Sequence, residues 1–385
     1  MKEFNASTFK EIVQDCSLNF LIGSGMSAPY LSALGNIEIL LTEIDRLSIS
    51  GEVREVLRGS VYKKYCDDVI FKNLEILNDE DLCRATLASY KSFVLRLNSL
   101  LLERKSSILS RQINVFTTNI DIFFEKALES CRLECNDGFL GRFAPVFDLS
   151  SFKKSYIKKS DHYDNISEIP VFNLLKLHGS LTWRMAESDS EIIYDTNLAK
   201  ISELKRLTID SRELLEIHPT DDAASLFARG RDVTPRTICQ FLEQFEELPI
   251  VNPTKEKFWI TLLNETYYDL LRMYSNELEK ENSVLFVLGF SFADEHIRHL
   301  TLRAANSNPT LAIHVFAYTS KAKEDIKKTF RNEALKYDNL AIWSPNQIEE
   351  SATMVDEFEF NFDNIQRCVF QDRGEAGDAI RGVSI

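Results

Sequence analysis

The sequence predicts an α/β protein with a Rossmann-like, doubly wound parallel sheet. Six short apolar runs are continuous rather than alternating, which is typical of parallel strands buried on both faces. Long amphipathic stretches separate these runs, and this alternation of strand and helix favours a parallel sheet covered by helices. Glycine is also scarce, at 13 of 385 residues, which favours helices and reserves glycine for positions that other residues fit poorly.

Each predicted strand ends near a polar or turn-forming residue. In chain order the strands are Asn19–Gly23, Ile113–Thr117, Val171–Leu177, Val284–Phe290, Ala312–Tyr318 and Leu340–Trp343. The clearest predicted helices are Ile120–Arg132, Lys255–Glu279, Asp294–Ala305 and Lys321–Lys336.

Two stretches interrupt the alternation of strand and helix. Residues 36–107 and 185–247 have mainly helical periodicity, with a possible β-pair near 192–194. We interpret both as helical insertions into one domain, residues 1–370. Residues 371–385 contain three glycines and little apolar content, so we expect a flexible tail there.

The charge balance argues against some functions. The chain has 45 Lys and Arg against 59 Asp and Glu, a net charge of −14, which disfavours direct binding of nucleic acid or an anionic membrane. The N-terminus lacks an apolar stretch of signal-peptide length, and no apolar run reaches the roughly 18 residues of a membrane span. We therefore expect a cytoplasmic protein.

The cysteines and histidines do not form a metal motif. The seven cysteines include no CxxC pair, and Cys131 and Cys135, four apart on a predicted helix, have no second pair to complete a zinc tetrahedron. His296 and His299 lack an acidic third ligand at the spacing of zinc proteases. We predict buried free thiols and no metal site.

The first strand leads into GSGMS, residues 23–27. A strand, a Gly-x-Gly turn and a helix together bring backbone N–H groups and a helix N-terminus to a phosphate. This signal is weak alone, because many helices follow a glycine turn. Ala28 also stands where the third glycine of a GxGxxG motif would fall.

The second strand leads into TTNID, residues 117–121. Hydroxyl, amide and carboxylate groups crowd the end of a parallel strand, where ligands bind in open sheets. Helix capping is an alternative, with Thr118 or Asn119 as N-cap and Asp121 in the first turn. Both can hold, and for Asp121 capping is the favoured role.

The third and fourth strands lead into LHGS, residues 177–180, and GFSFADEH, residues 289–296. A histidine at a strand end is placed to act as a base near neutral pH, and the polar Gly-Ser after His178 disfavours a core histidine. Gly289 lets the backbone approach a ligand, and Asp294 opens the next helix. Four polar or glycine-marked strand ends predict a nucleotide cleft at one edge of the sheet.

These four motifs, in this order, resemble the sirtuin fold, and more closely the sirtuin-like NAD hydrolases of bacterial antiphage defence. The resemblance extends from about residue 19 to residue 343. It implies that Asn119 contacts the nicotinamide ribose and orients the attacking group, and that His178 is the general base. GSGMS corresponds to the family's diphosphate loop, and Gly289 and Ser291 to its adenosine side. The full set assigned to NAD binding is Gly23, Ser24, Gly25, Ser27, Thr118, Asp121, Gly289 and Ser291.

The departures from the family pattern narrow the expected activity. Protein-deacylating sirtuins carry a four-cysteine zinc ribbon after the His-Gly motif, whereas no cysteine lies between Gly179 and Cys239. Their GIPDFR-like substrate loop is replaced here by PYLSALGN. We therefore expect cleavage of NAD to nicotinamide and ADP-ribose without a metal. The alternatives are an NAD-binding scaffold that regulates assembly with an ATPase partner, and a protein deacylase or ADP-ribosyltransferase.

An NAD hydrolase needs restraint, because uncontrolled NAD loss kills its own cell. Within the family, the chain most resembles the stand-alone partner of a HerA-type hexameric ATPase. That resemblance implies an NAD-depleting effector and a ring-like homo-oligomer. The insertions at 36–107 and 185–247 are the predicted contacts with partner or copy.

Overall fold

Thirteen strands lie within the part of the chain that the computed structural model describes, which is residues 6–28, 30–32, 37–106, 108–162, 164–186, 191–251, 265–331, 335–347 and 359–370. They are β1 (Ser17–Ile22), β2 (Gln112–Thr117), β3 (Glu134–Asn136), β4 (Phe139–Leu140), β5 (Val146–Phe147), β6 (Ile157–Lys159), β7 (Ile166–Glu168), β8 (Val171–Lys176), β9 (Trp183–Met185), β10 (Ile192–Tyr194), β11 (Ser283–Leu288), β12 (Ala312–Phe316) and β13 (Leu340–Trp343).

Seven of these strands form a central parallel sheet in the order β13-β12-β11-β1-β2-β8-β3. The six predicted strands are all present, and the α/β prediction is confirmed. Without the edge strand β3, the order is that of a Rossmann sheet, in which the winding direction reverses beside the first strand. Here the reversal lies between β1 and β11, whose register pairs Leu18 with Val284 and Ile22 with Leu288.

The helices of the described residues are α1 (Ala6–Asp15), α2 (Ile37–Arg46), α3 (Gly51–Tyr65), α4 (Lys72–Leu77), α5 (Arg84–Leu102), α6 (Phe123–Ser130), α7 (Ala199–Arg206), α8 (Ala223–Gly230), α9 (Thr237–Glu246), α10 (Glu265–Leu278), α11 (Glu295–Ser307), α12 (Ser320–Thr329) and α13 (Phe362–Ile365). A π-helical turn, Cys66–Ile70, joins α3 to α4. No described helix is long and apolar enough to cross a membrane.

The sheet separates two hydrophobic clusters. Phe20 and Ile22 of β1 point into the cluster that contains apolar residues of α1 to α9, whereas Leu21 points into the cluster of α10 to α12. This alternation along one strand means that both faces of the sheet are covered, as the continuous apolar runs predict. The helices of both insertions pack in the first cluster, whereas Ile192 lies in the second.

Some predictions of secondary structure were wrong. The other strands of the four-stranded antiparallel sheet β4-β5-β10-β9, and the β6–β7 hairpin, were not foreseen, because strands of two or three residues carry no periodic signal. The possible β-pair near 192–194 is confirmed, as β10 paired with β9. The 185–247 stretch contains α7, α8 and α9 but also β10, so it is only partly helical. The predicted helix 120–132 runs from Phe123 to Ser130; Arg132 has φ +53°, and Cys135 lies in β3 rather than on one helix with Cys131.

Other predictions reach beyond the described residues. The tail at 371–385, the first part of the helix predicted at Lys255–Glu279 and part of the stretch Lys321–Lys336 lie outside them. Within the described residues the first of these is helical over Glu265–Leu278, as α10, and the second only to Thr329, where α12 ends; residues 330–331 and 335–336 are not helical.

Candidate active site

A cleft of about 260 Å³ lies at the C-terminal ends of the central strands, beside the reversal between β1 and β11. This is where open α/β sheets bind ligands. The cleft is lined by residues from four loops that the sequence analysis singled out. Of the predicted site residues it collects Ser24, Ser27, Thr118, Asn119, Asp121, His178, Gly289 and Ser291. Gly23 and Gly25 lie directly behind this lining, against Gly289.

Three glycines allow the loops after β1 and β11 to approach each other. A Cβ on Gly23 would meet the carbonyl oxygen of Gly289, and one on Gly25 would lie 3.0 Å from the Cα of Gly289. Gly289 itself has φ +62°, and its Cβ would lie 2.6 Å from the backbone nitrogen of Met26. These positions therefore require glycine for loop packing, whatever the cleft binds.

Most backbone N–H groups of the GSGMS loop already donate to carbonyl oxygens of the protein. The N–H groups of Gly23, Gly25, Met26 and Ser27 donate to Leu288, Gly289, Gly23 and Ser24 carbonyl oxygens at 3.0–3.1 Å. The loop forms a single 3₁₀ turn, Ser24–Met26, rather than the start of a helix. Within residues 23–28 the turn is not itself the N-terminus of an α-helix, because the N–H groups of Met26 and Ser27 donate back to Gly23 and Ser24. Ser24, which is exposed, presents its own side chain to the cleft.

A buried hydrogen-bond network lies under the cleft floor. Ser27, only 1% exposed, donates to Asp121 Oδ2 at 2.7 Å and accepts from Asn119 Nδ2 at 3.1 Å. Its one proton is thus given to Asp121, so the Tyr90 hydroxyl 2.9 Å away must be the donor in their shared hydrogen bond. Burial, and then the charge of Asp121, raise the pKa of Tyr90 well above its usual value, which keeps that donor protonated.

The side-chain amide of Asn119 is part of this network. Its Nδ2 donates to Ser27 and also to the carbonyl oxygen of Gly23 at 3.2 Å. Its Oδ1 is buried and accepts no hydrogen bond from the described residues. A buried acceptor without a donor is costly, and Asn119 lines the cleft. The amide is therefore oriented by its two Nδ2 contacts, while its unpaired Oδ1 is shielded from solvent beneath the cleft surface.

A buried lysine fixes the backbone of this loop from behind. Lys176, 4% exposed, ends β8 and donates to the carbonyl oxygens of Asp121 and, at 3.4 Å, of Asn119. It also pairs with Glu125 at 3.0 Å. Burial raises the pKa of Glu125, and the lysine opposes that effect. Lys176 thus connects β8 to the loop that carries Asn119.

The histidine of LHGS is paired with a carboxylate. His178 Nε2 lies 3.0 Å from Asp294 Oδ2, with side-chain exposures of 14% and 9%. Asp294 Oδ1 caps α11 by accepting from His296 and Ile297 N–H groups at 3.0 and 3.3 Å. The predicted role of Asp294 in opening a helix is confirmed, whereas its contact with His178 was not foreseen.

The backbone around both partners is tightly constrained. Gly179 has φ +78°, and a Cβ there would lie 2.8 Å from the Tyr267 hydroxyl. Phe292, two residues before Asp294, is fully buried at φ +60°, which costs about 1–2 kcal/mol for a residue with a side chain. Its ring packs on Phe290 and Phe330. Such strain is retained only where the surroundings fix it, and it often marks functional loops.

The remaining lining makes the cleft acidic. Glu38, Asp121 and Asp294 line it, and none of its described lining residues is Lys or Arg. Tyr65 and Val69, at the π-helical turn, complete one wall, and such turns are frequent at functional sites. A cleft of this composition favours a cationic group over a phosphate.

The structure distinguishes between the helix-capping roles considered for Thr118, Asn119 and Asp121. Thr118 and Asn119 do not cap α6, which begins at Phe123; instead Asn119 N–H donates to Thr117 Oγ1 at 3.0 Å. Asp121 does serve the helix start, since its Oδ1 accepts from the Phe123 N–H at 3.2 Å. Its Oδ2 accepts from Ser27, so both carboxylate oxygens of Asp121 accept hydrogen bonds.

The sequence analysis missed five residues of the site: Glu38, Tyr65, Tyr90, Lys176 and Asp294 as a histidine partner. Lys176 had a visible signal, because a lysine that ends an otherwise apolar strand is unusual for a buried sheet. The other contacts join distant segments, so no local pattern reveals them.

Comparisons with known proteins add no family assignment. No family model matches the chain, and no curated protein matches it either. Among the described residues, no group of three or more His, Cys, Asp and Glu side chains could hold a metal ion.

Proposed function

We propose that this protein cleaves NAD to nicotinamide and ADP-ribose in the cleft between the β1, β2, β8 and β11 loops. The observation that carries the proposal is the meeting of an oriented Asn119 amide and the His178–Asp294 pair in one acidic cleft. An amide and a histidine–carboxylate pair are suited to hold a ribose and to accept a proton from water. The resemblance of the four motifs to sirtuin-like NAD hydrolases supports the same assignment.

The negative charge of the cleft complements the positive charge that develops during the reaction. Nicotinamide leaves as a neutral molecule when the bond between its ring nitrogen and ribose C1′ breaks, and positive charge then develops on the ribose. The carboxylates of Glu38, Asp121 and Asp294 favour that cation. The oxygen of water bonds to C1′, and His178 takes the proton that water loses. The overall reaction converts NAD and water to nicotinamide, ADP-ribose and one proton.

The cleft volume fits one end of the dinucleotide. About 260 Å³ is below the range of about 300–1,000 Å³ for sites that enclose a whole small ligand. The acidic lining also suits the cationic nicotinamide riboside end better than the diphosphate. We therefore place the scissile bond beside Asn119 and His178, with Ser24, Gly289 and Ser291 toward the rest of NAD.

Turnover by the purified chain tests the proposal. NAD is incubated with the protein, and nicotinamide and ADP-ribose are quantified by liquid chromatography. We expect equal amounts of both products, with a drop of about 10²-fold or more for Asn119→Ala and for His178→Gln. His218→Gln is the matched control, because His218 is half exposed and lies far along the chain from every cleft residue. Full activity of both folded cleft variants would refute the assignment.

The assay also separates the alternative activities. A scaffold would bind NAD and leave it intact, so a calorimetric binding signal without products would favour that function. A transferase would give nicotinamide without matching ADP-ribose, and the missing ADP-ribose would appear on an acceptor protein or acyl group. The His178–Asp294 pair favours catalysis over a scaffold, because binding alone needs no oriented base.

The biological setting is proposed from the resemblance. We place the enzyme in the cytoplasm as the NAD-depleting effector of an antiphage system, restrained by a HerA-type hexameric ATPase and by assembly into a homo-oligomer. Turnover measured with and without such an ATPase, together with the mass of the complex in solution, tests this setting separately from the chemistry.

A further inference from the structure

We infer that Asp294 is a positioning residue that fixes the tautomer of His178, so that the Nδ1 atom is the one that accepts the proton during the reaction. This inference rests on the proposed function for its kinetic consequence. Its structural part concerns one hydrogen bond and can be measured without NAD.

The geometry determines which ring nitrogen carries the proton. Asp294 Oδ2 lies 3.0 Å from His178 Nε2, and an ionised carboxylate only accepts hydrogen bonds. A neutral His178 must therefore carry its proton on Nε2 to satisfy this contact. The lone pair is then on Nδ1, which is the only ring nitrogen left to act as a base.

The other oxygen of Asp294 explains why the carboxylate cannot turn away. Oδ1 accepts from the N–H groups of His296 and Ile297, the first turn of α11. A helix N-terminus favours a negative charge at this position. The carboxylate is thus held by the helix on one oxygen and presents the other to His178. The loop before Asp294 is fixed by Phe292, which has a strained backbone. Arg298 Nη1 donates to the Phe292 carbonyl oxygen at 2.8 Å and holds this loop in place.

His178 is held from its other side by the backbone. Its carbonyl oxygen accepts from the Val251 N–H at 2.9 Å, and the next residue forms a β-bridge with Ile250. Ring and carboxylate are therefore each attached to separate rigid elements, β8 and α11. The loss of the Asp294 contact should change the ring's proton position without moving the backbone.

Two substitutions separate positioning from helix capping. In Asp294→Asn the amide oxygen is the group that can accept from His296 and Ile297, so the NH₂ group faces His178. An NH₂ group cannot accept from Nε2–H, so the ring must shift its proton to Nδ1, which removes the base. In Asp294→Ser the hydroxyl still caps the helix, but the ring is free to choose either tautomer.

The order of activities is the kinetic test. A positioning role predicts that Asp294→Asn lowers kcat by about 10²- to 10⁴-fold with a much smaller change in KM, and that Asp294→Ser loses less. A purely structural role predicts the opposite order, since Asn is the closer replacement and an equally good cap. Asp222→Asn is the matched control, because Asp222 caps α8 through the Ser225 N–H at 2.8 Å, remote from the cleft.

Nitrogen NMR of the histidine rings tests the same inference without substrate. The chain has six histidines, and the His178 signals are assigned by their loss in His178→Gln. We expect the Nε2–H tautomer in the wild-type protein and the Nδ1–H tautomer in Asp294→Asn, with unchanged thermal unfolding. An Nδ1–H tautomer in the wild-type protein would overturn the inference, as would equal kcat in the Asn and wild-type enzymes. A wild-type protein that does not cleave NAD would refute the proposed function alone, since the NMR result would stand.

Discussion

Replacement of Gly289 by alanine tests the packing on which the cleft depends. Gly289 has φ +62°, a conformation that costs an alanine about 1–2 kcal/mol. The new methyl carbon would also lie 2.6 Å from the Met26 nitrogen and 2.7 Å from its Cγ, so the GSGMS loop must move. Overpacking of this kind costs about 1–3 kcal/mol.

The net effect combines these costs with a small gain. Alanine restricts the unfolded chain more than glycine does, which returns about 0.4–1 kcal/mol. We therefore expect the free energy of unfolding to fall by about 1–4.6 kcal/mol, a large part of the 5–15 kcal/mol typical of a domain. The protein should still fold at 25 °C, but with lower affinity for the proposed substrate NAD, because Met26 is displaced beside the cleft.

Urea unfolding followed by circular dichroism measures this loss, and calorimetry measures the affinity. Gly51→Ala is the matched control: a Cβ there meets nothing within 4 Å, and Gly51 opens α3. Its free energy of unfolding should rise by about 0.4–1 kcal/mol, because only the effect on the unfolded chain remains. If Gly289→Ala is as stable as Gly51→Ala, the close approach of the two loops is refuted.

Three further predictions concern Ser27 and Lys176, beneath the cleft, and Asp137, in the turn after β3. Ser27→Ala should lower the free energy of unfolding by about 1–3 kcal/mol, because it leaves the Tyr90 hydroxyl without its acceptor. Adding Tyr90→Phe should then cost less stability in the Ser27→Ala protein than in the wild-type protein. Equal costs in the two proteins would contradict the network. Lys176→Met should lower the free energy of unfolding by about 3–5 kcal/mol, because it leaves Glu125 unpaired. In urea titrations, adding Glu125→Gln to this variant should restore part of that loss. If the losses of the two single variants simply add in the double variant, the Lys176–Glu125 pair is not supported. Burial raises the pKa of Asp137 above 3.8, so the folded chain binds this proton more tightly than the unfolded chain, and stability from this group is lost as pH rises from 3.8 through the raised pKa. Asp137→Asn keeps an acceptor for the Phe139 N–H and should remove that decline in urea titrations between pH 3.5 and 7; parallel curves for the two proteins would show that Asp137 is not responsible.

The positions of the strands and of the cleft were predictable from local composition. Val284–Leu288 and its counterparts are continuous apolar runs, and a strand buried on both faces needs no alternation. Parallel strands end at one edge, so polar groups at the ends of β1, β2, β8 and β11 necessarily meet there. The placement of Asn119 and His178 in one cleft follows from that geometry.

The short strands were not predictable for a physical reason. Glu134–Asn136 has no apolar run, and it joins the sheet through its backbone pairing with β8. The antiparallel sheet is built from pairs such as Leu140 with Val146 and Ile192 with Met185. Segments of two or three residues are stabilised by tertiary packing, here of Trp183 on Phe147, and not by their own propensity.

The sequence by itself determined the fold class and the edge of the sheet at which the motifs meet, because these follow from hydrophobic pattern and from parallel topology. Tertiary structure alone decided the roles inside the cleft. Ser27 turns inward to Asp121 and Tyr90, and His178 meets Asp294 from 116 positions away. The GSGMS amides bond to carbonyl oxygens of their own loop and of the end of β11. Hydrogen bonds of this kind depend on distances of a few tenths of an ångström between separate elements, which no local pattern of residues specifies.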